Sequence, residues 1–392
     1  MVVDTGTYYS FWGQLIILLL IQLGGLGYMT TTTFLMLLLG RRFDLRQKFA
    51  IQESFVSPFL QGSQNLVRSI FATTLIFEIS GIFLLLKAFT PDYGLDKSLW
   101  LAIFHSISAW NNAGFSLFID SLVSYQSSWR INLVIPALVI FGGLGYQVII
   151  ELYLWLVNRL KGKRAQFAFS LNFKVVMSTT ILLLVVGTIA FFFMELHNKK
   201  TLAALDWQTE ILTAWFQSIT TRTAGFNSID IGKMTTAGLF ITMGLMFIGA
   251  SPSGTGGGIK TTTFRILTSC TVSVLQGKEN IVIYQRRVPQ TILFKAVALV
   301  CGSIATITIG TILITLADGD MNLIQILFEV ISAFATVGLS TGITASLSSL
   351  SHLVLIFTMY AGRVGVLLLI AAIIGESSPS VIQYPEENLL VG

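Results

Sequence analysis

Charge is scarce in this sequence: Asp, Glu, Lys and Arg together make up 11% of 392 residues, against about 25% in a soluble domain. An ordinary water-soluble domain is thereby excluded. Cysteine is scarcer still. Cys270 and Cys301 are the two in the chain; both fall in apolar runs and match no disulfide or zinc spacing, so they are expected core side chains. The three histidines, His105, His197 and His352, are scattered among different elements, and no metal site is read from them. The first apolar run lacks the basic start and small-residue cleavage site of a removable leader.

Apolar residues fill what charge leaves. The chain is 54% hydrophobic with a mean hydropathy of +0.78, and a helix needs about 20 apolar residues to cross a bilayer. Seven runs qualify, at roughly 12–39, 66–88, 131–157, 173–194, 234–275 with an interruption, 291–317 and 351–375. Barrel strands would be far shorter and would alternate; the expected fold class is an all-α integral membrane protein. The net charge of +5 would suggest a nucleic-acid surface if it were spread evenly. Instead, basic residues cluster at Arg41, Arg42, Arg46 and Lys48, at Arg159, Lys161, Lys163 and Arg164, and at Lys278, Arg286 and Arg287. These are alternate connections, which the positive-inside rule assigns to the cytoplasm. Topology accounts for the excess, lipid is the expected surrounding, and no nucleic-acid partner is read. The same rule makes this a multi-pass cell-membrane protein with Met1 outside and the C-terminal stretch 376–392 in the cytoplasm.

One short stretch occurs three times. In HSISAWNNAGFSLF, QSITTRTAGFNS and EVISAFATVGLSTG a hydroxyl-bearing run leads to one glycine, at 114, 225 and 338, spaced by 111 and then 113 residues. Near-constant spacing marks an internal repeat. Each copy carries a hydroxyl-rich run and follows an apolar segment too short to span, the pattern of a re-entrant pore loop. The unit is a spanning helix, a short pore helix, a glycine loop and a second spanning helix, repeated around a pseudo-fourfold pore. The expected divisions are 1–40, 41–160, 161–278 and 279–392, with the pore helix of unit two at 99–110 and its loop at 111–115. Gly24-Gly25-Leu26-Gly27 mirrors Gly142-Gly143-Leu144-Gly145, and Gly362-Arg363-Val364-Gly365 holds the same place in unit four. Residues 1–40 therefore supply only the second helix of an incomplete first unit. The expectation is a truncated chain, since an open quadrant would expose backbone to lipid; a naturally shortened protein is the alternative.

Backbone carbonyls in a narrow loop can replace an ion's hydration shell, and glycine admits conformations that turn successive carbonyls to one axis. The candidate selectivity-filter positions are Asn112, Ala113 and Gly114; Thr223, Ala224 and Gly225; and Thr336, Val337 and Gly338. A pore helix ending before each would aim its partly negative C-terminus at the cavity and favour cations. Close helix packing at small residues is the competing reading; three loops in register weigh against it.

A second stretch, FIGASPSGTGGGIKTTTF, holds Gly249, Ala250, Ser251, Pro252, Ser253, Gly254, Thr255, Gly256, Gly257 and Gly258 and cannot continue an apolar helix. Broken backbone at membrane depth is tolerated only where it lines a cavity or lies within protein, so 249–258 is expected to be a flexible intramembrane gate. A phosphate-binding loop would need Gly and Lys adjacent after a strand, whereas Ile259 separates Gly258 from Lys260; Lys260 is expected toward the cytoplasmic side. Arg363 interrupts the apolar run 353–374, where a charge is costly unless it faces water or a partner. It is expected as an electrostatic barrier on the ion path, with a purely structural arginine as the alternative. Glu78, Glu151 and Glu329 are expected to pair structurally, Glu329 with Arg222 or a backbone amide.

Taken together, the repeated helix–pore–helix units, the single-glycine loops, the ASPSGTGGGIKTTT break and the arginine of the fourth inner helix resemble the Trk/Ktr/HKT superfamily of potassium transporters. The likeness covers essentially the whole chain and is nearest to the bacterial KtrB-type membrane subunits. It implies potassium uptake through a channel-like pore, not an enzyme, often sodium-dependent, with potassium as the transported ion, sodium as an activator and no other cofactor. It also implies Gly114, Gly225 and Gly338 as filter glycines, 249–258 as the gate and Arg363 as the barrier beneath the filter. A homodimer on a cytosolic ring of nucleotide-binding, KtrA-like regulatory subunits would be the assembly. The chain departs from the pattern in lacking a first filter, in carrying Leu339 where Phe115 and Phe226 stand in the other copies, and in pairing Asn111 with Asn112. A sodium-coupled secondary transporter built on broken helices and a non-conducting truncated fragment are the alternatives.

Overall fold

The computed structural model describes residues 3–26, 63–162 and 167–366, with side chains in the second stretch from Arg68 onward. After a short turn, α1 (Thr5–Tyr8), helix α2 (Phe11–Leu26) carries the first glycine pair. The helical run α3 (Ser63–Trp110) has two arms, divided at Gly94, whose φ of 71° and ψ of 172° are not helical. Pro91, three residues earlier, removes a helix hydrogen bond and crowds the preceding turn. The second arm covers 99–110, the stretch expected as a short helix before the loop at 111–115.

Next come α4 (Trp129–Leu144), α5 (Tyr146–Leu160), α6 (Leu171–Glu195), α7 (Trp207–Thr220), α8 (Thr236–Phe247), α9 (Thr261–Leu275), α10 (Gln290–Ala317), α11 (Leu323–Phe334) and α12 (Ser349–Val364). A long helix, a short one and an inner one recur as α6–α7–α8 and α10–α11–α12. The short members, of 14 and 12 residues, fall below a bilayer's thickness. Three described stretches, Arg68–Trp110, Leu171–Glu195 and Gln290–Ala317, are long and apolar enough to cross a membrane, and α4 with α5 makes a fourth if counted as one span.

The apolar run 131–157 is not one helix, contrary to the sequence expectation. It bends by 104° between α4 and α5 at Gly145, where φ is 88°. A Cβ at Gly145 would collide with the carbonyl of Pro252, so the approach of another backbone segment is what the glycine admits. Helix α12 stops at the matching Gly365, φ 96°. The parts 27–39 and 367–375 of two expected spans, the basic cluster at 41–48, Lys163, Arg164 and the C-terminal tail lie outside the described residues.

Apolar burial does not mark the interior of this fold. Helix α10 buries Ile307 and Ile314 yet exposes Ile304, Ile309, Ile312 and Leu316, because lipid receives an apolar face as readily as protein does. Cys301, expected in the core, is on the exposed side for that reason, and Cys270 is half-buried. In the connection after α9, β1 (Val282–Ile283) pairs with β2 (Arg286–Arg287) around Tyr284 and Gln285, with φ of 48° and 62°. That is a primed two-residue turn, made here without the glycine or asparagine that would have announced it.

Two of the units close their outer ends with a carboxylate. Glu195 accepts from Thr235 N (2.9 Å) and Thr235 Oγ1 (2.7 Å) at the start of α8. Asp318 accepts from Ser348 N (3.1 Å) and Ser348 Oγ (3.0 Å) at the start of α12, and from the Ser351 hydroxyl. The Ser351 hydroxyl foremost, then Ser348, holds the Asp318 carboxyl below its usual range. A folded pKa lowered in this way contributes stability above the unfolded value of about 4, and that contribution is lost as pH falls through the folded value. Asp318→Asn is therefore expected to lower the Tm in detergent at neutral pH, with the difference from wild type shrinking in acid. A difference that stays constant through the acid range would rule out a charge-dependent clamp.

Candidate ion pathway

The pore arm of α3, α7 and α11 each run into a loop of the same shape. Asn112, Thr223 and Thr336 take φ values of 51°, 73° and 54°, and Gly114, Gly225 and Gly338 take 70°, 80° and 90°, while the residue between each pair is not left-handed. Alternation of hand turns successive peptide groups the same way, N–H to one side and C=O to the other. A β-branched residue at positive φ is an outlier and costs on the order of 1–3 kcal/mol. Two threonines in register show a shape imposed by their surroundings.

The three loops meet. A Cβ on Gly114 would lie 2.6 Å from Ala224 O and 2.8 Å from Gly225 Cα; one on Gly225 would collide with Val337 O; and one on Gly338 would lie 3.8 Å from Gly225 Cα. The Asn112 side-chain amide reaches Thr223 Oγ1 at 3.3 Å, while its other side faces Ala109 O and Val139 O. The loop at 223–225 is wholly buried, whereas Ala113, Thr336 and Gly338 are more open. Ala113 and Thr336 border a cavity of about 370 Å³ that Ile21, Gly25 and Arg363 also line.

Two sets of side chains hold the loops, and of these Glu329 was the one expected from the sequence to make a structural tie. Ser108 Oγ donates to Phe115 O (2.8 Å), Thr220 Oγ1 to Phe226 O, and Ser332 Oγ to Leu339 O (2.7 Å). Each latches the end of a pore helix to the carbonyl after the glycine. A second tie joins residues 11 apart in all three units: His105 Nε2 to Ser116 Oγ (3.0 Å), Gln217 Nε2 to Ser228 Oγ (3.4 Å), and Glu329 Oε1 to Ser340 Oγ (2.6 Å). Since His105 Nδ1 faces Leu101 O at 2.8 Å, Nδ1 carries the proton and Nε2 accepts from Ser116. The repeated hydroxyl positions were the available signal.

Glu329 also accepts from Thr341 N (2.9 Å) and Thr344 Oγ1 (2.8 Å), so its partner is the backbone amide and not Arg222. Arg222 is buried beside Gly143 and Ala250. Glu151 holds Ser170, through N (3.0 Å) and Oγ (2.7 Å), at the start of α6.

Between α8 and α9 the backbone leaves helix, and its polar groups are taken up by neighbours. Gly249 N donates to Ile259 O (2.9 Å), Ser251 N to Gly143 O (3.0 Å) and Thr255 N to Gly142 O (3.1 Å). The last two carbonyls belong to the final turn of α4, which lacks helical donors of its own. Ser253 O accepts from Tyr146 N at 3.3 Å, across the α4–α5 bend. Above this segment, Gly257 N donates to Thr336 Oγ1 (3.0 Å), and a Cβ on Gly256 would collide with the Thr223 side chain. Glycine at these two positions lets the backbone lie directly against loops three and four.

Lys260 turns back to donate to Gly256 O at 2.8 Å. Arg363 donates to Thr255 O and to Gly24 O (2.6 Å). It also borders the cavity of about 370 Å³. Each remaining inner helix brings a glycine to a pore-helix end: Gly142 to Trp110 O, Gly362 to Phe334 O, and Gly25 of α2 to the Asn111 side chain.

With the fold and this arrangement in place, likeness to known proteins becomes informative. Residues 1–384 match the family described as TrkH, cation transport protein. The chain belongs to this family. It is 36% identical over 391 residues to the Ktr system potassium uptake protein B of Bacillus subtilis (strain 168), covering 100% of this chain and 86% of the relative. It is 37% identical over 392 residues to the protein of the same name from Vibrio alginolyticus, covering 100% and 84%. The potassium/sodium uptake protein NtpJ of Enterococcus hirae is 32% identical, with 99% of this chain and 85% of the relative aligned. Among solved structures, the potassium transporter TrkH from Vibrio parahaemolyticus superposes with a TM-score of 0.70 over 92% of this chain and 71% of that one. At 17% identity that likeness shows the fold.

The latches lead to a stability expectation. Ser332→Ala leaves Leu339 O without its donor and Gly338 N without its acceptor (3.2 Å), which should cost about 1–3 kcal/mol. Thermal unfolding in detergent measures the loss; a wild-type Tm would remove the latch from the account.

Proposed function

We propose that this chain is the membrane subunit of a potassium uptake system, passing potassium down its electrochemical gradient along a path lined by the backbone of loops 112–114, 223–225 and 336–338. The observation that carries this reading is the meeting of Gly114, Gly225 and Gly338 in three loops of one backbone pattern. Such carbonyls substitute for water around a cation without an acidic ring, and the pore helices end against them with partly negative termini. Relatives named for potassium uptake, and one for potassium and sodium, support potassium as cargo and sodium as activator or second passenger.

In this reading α2 is the inner helix of the first quadrant of a pseudo-fourfold pore, and the other three quadrants follow in chain order. Segment 249–258 is the gate. Arg363 holds it closed through Thr255 O and presents positive charge to the path. The Ktr-system names of the relatives support a subunit within a larger complex, a homodimer on a nucleotide-binding cytosolic ring with the C-terminus on the same side.

Rubidium uptake in potassium-uptake-deficient cells tests the reading, with growth at low potassium as a second readout. Arg363→Gln removes a charged hydrogen bond to the gate, so flux is expected to rise by about one to two orders of magnitude, given the roughly 1.5–3 kcal/mol of such bonds. Saturable uptake of an organic solute without rubidium flux would overturn the potassium reading in favour of a secondary transporter.

A further inference from the structure

Behind the second loop lies a buried carboxylate that the path described above does not use. Glu78, in the first arm of α3, is 4% exposed. Its Oε2 accepts from Gln22 Nε2 of α2 (3.2 Å) and its Oε1 from Asn111 Nδ2 (3.2 Å). Asn111 Nδ2 also meets Gln22 Oε1 (3.0 Å) and Ile107 O (3.0 Å), so three acceptors compete for two hydrogens. On its other side Asn111 Oδ1 is buried without a partner, pressed against Gly25, where no Cβ would fit. The other groups facing this cluster are Ser106, whose Oγ donates to the backbone carbonyl of Glu78 (2.7 Å), and Tyr146, whose hydroxyl pairs with Thr74 Oγ1 (3.2 Å). Tyr146 is within electrostatic reach of both Glu78 and Arg363. Among the described residues no basic side chain forms an ion pair with Glu78.

A lone carboxylate at this depth is costly, and the surrounding amides can satisfy it in two arrangements. With Glu78 ionised, Gln22 and Asn111 both turn their NH2 groups toward it, as found. With Glu78 protonated, its single O–H needs one acceptor, and Asn111 turns over to present Oδ1 while Gln22 Nε2 still donates to the other carboxyl oxygen. The oxygen orphaned in the first arrangement is satisfied in the second. Asn111 directly precedes Asn112, the left-handed residue that opens loop two, and both border the 370 Å³ cavity. The state of Glu78 thus reaches the loop through one side-chain amide.

We propose that Glu78 is a positioning residue for ion passage: acting through Asn111, its ionisation sets how loop 112–114 is held and tunes the preference among monovalent cations. The inference rests on the transport reading above. Its test compares rubidium and sodium flux in proteoliposomes holding wild-type, Glu78→Gln or Gln22→Leu chains, at neutral and mildly acidic pH. The wild-type rubidium-to-sodium ratio is expected to change with pH. Glu78→Gln keeps the shape and loses the titration; it is expected to shift the ratio about threefold to tenfold, the range that one hydrogen bond commands, and to hold it constant with pH. Gln22→Leu leaves the Glu78–Asn111 pair but removes the competing amide, and is expected to displace the pH dependence without abolishing it. Should Glu78→Gln fail to assemble, Gln22→Leu decides the matter. A wild-type ratio with an unchanged pH profile in the assembled variant overturns the inference alone. Absence of rubidium flux in the wild-type chain overturns the transport reading and this inference with it.

Discussion

Backbone that leaves a helix inside a bilayer has no water to turn to, and every other feature of this protein follows from how that demand is met. Among the described residues, the three glycine loops and the stretch 249–258 leave regular structure between apolar helices. Each finds its partners within the protein. Hydroxyls of Ser108, Thr220 and Ser332 take up the carbonyls that follow the loop glycines. The carbonyls of Gly142 and Gly143 take up Thr255 and Ser251 amides. Where carbonyls of the loops are left free to point elsewhere, they are available to an ion. The same rule that makes broken backbone expensive in lipid makes it useful along a path.

Close approach is the second half of this economy of contacts. Gly142, Gly362 and Gly25 each admit the end of a short helix where a methyl group would collide, Gly145 admits the 249–258 segment, and Gly256 and Gly257 within that segment admit the side chains of Thr223 and Thr336. Equivalent positions are then free to differ in chemistry. His105, Gln217 and Glu329 make the same tie across 11 residues with an imidazole, an amide and a carboxylate. The geometry of the tie is repeated while its chemistry is not.

Much of this was legible in the residues. The loop glycines, the broken helix and Arg363 announce themselves because each violates what an apolar helix allows, and violations at regular spacing are hard to produce by other means. What stayed hidden has a physical reason in each case. The 104° bend at Gly145 depends on a segment about 110 residues further on pressing against it, and GGLG inside an apolar run is equally compatible with a straight helix. The exposure of Cys301 could not be read because lipid and core reward the same residues. The ties of Ser116, Ser228 and Ser340 look like ordinary loop serines until the fold places them over a pore helix. The hairpin at 282–287 turns on Tyr284 and Gln285, residues that carry no turn signature.

Arg363 joins two parts of the chain made at very different times. Its partners Thr255 and Gly24 precede it by 108 and 339 residues. Synthesis at about 5–20 residues per second leaves the Thr255 carbonyl without its guanidinium for roughly 5–20 seconds after its own translation. During that interval the broken segment has its ties to α4 but lacks the clamp from the last helix. The Arg363 contacts are therefore made after the ties to α4, and a ribosome stalled before residue 363 would leave the broken segment held by α4 alone.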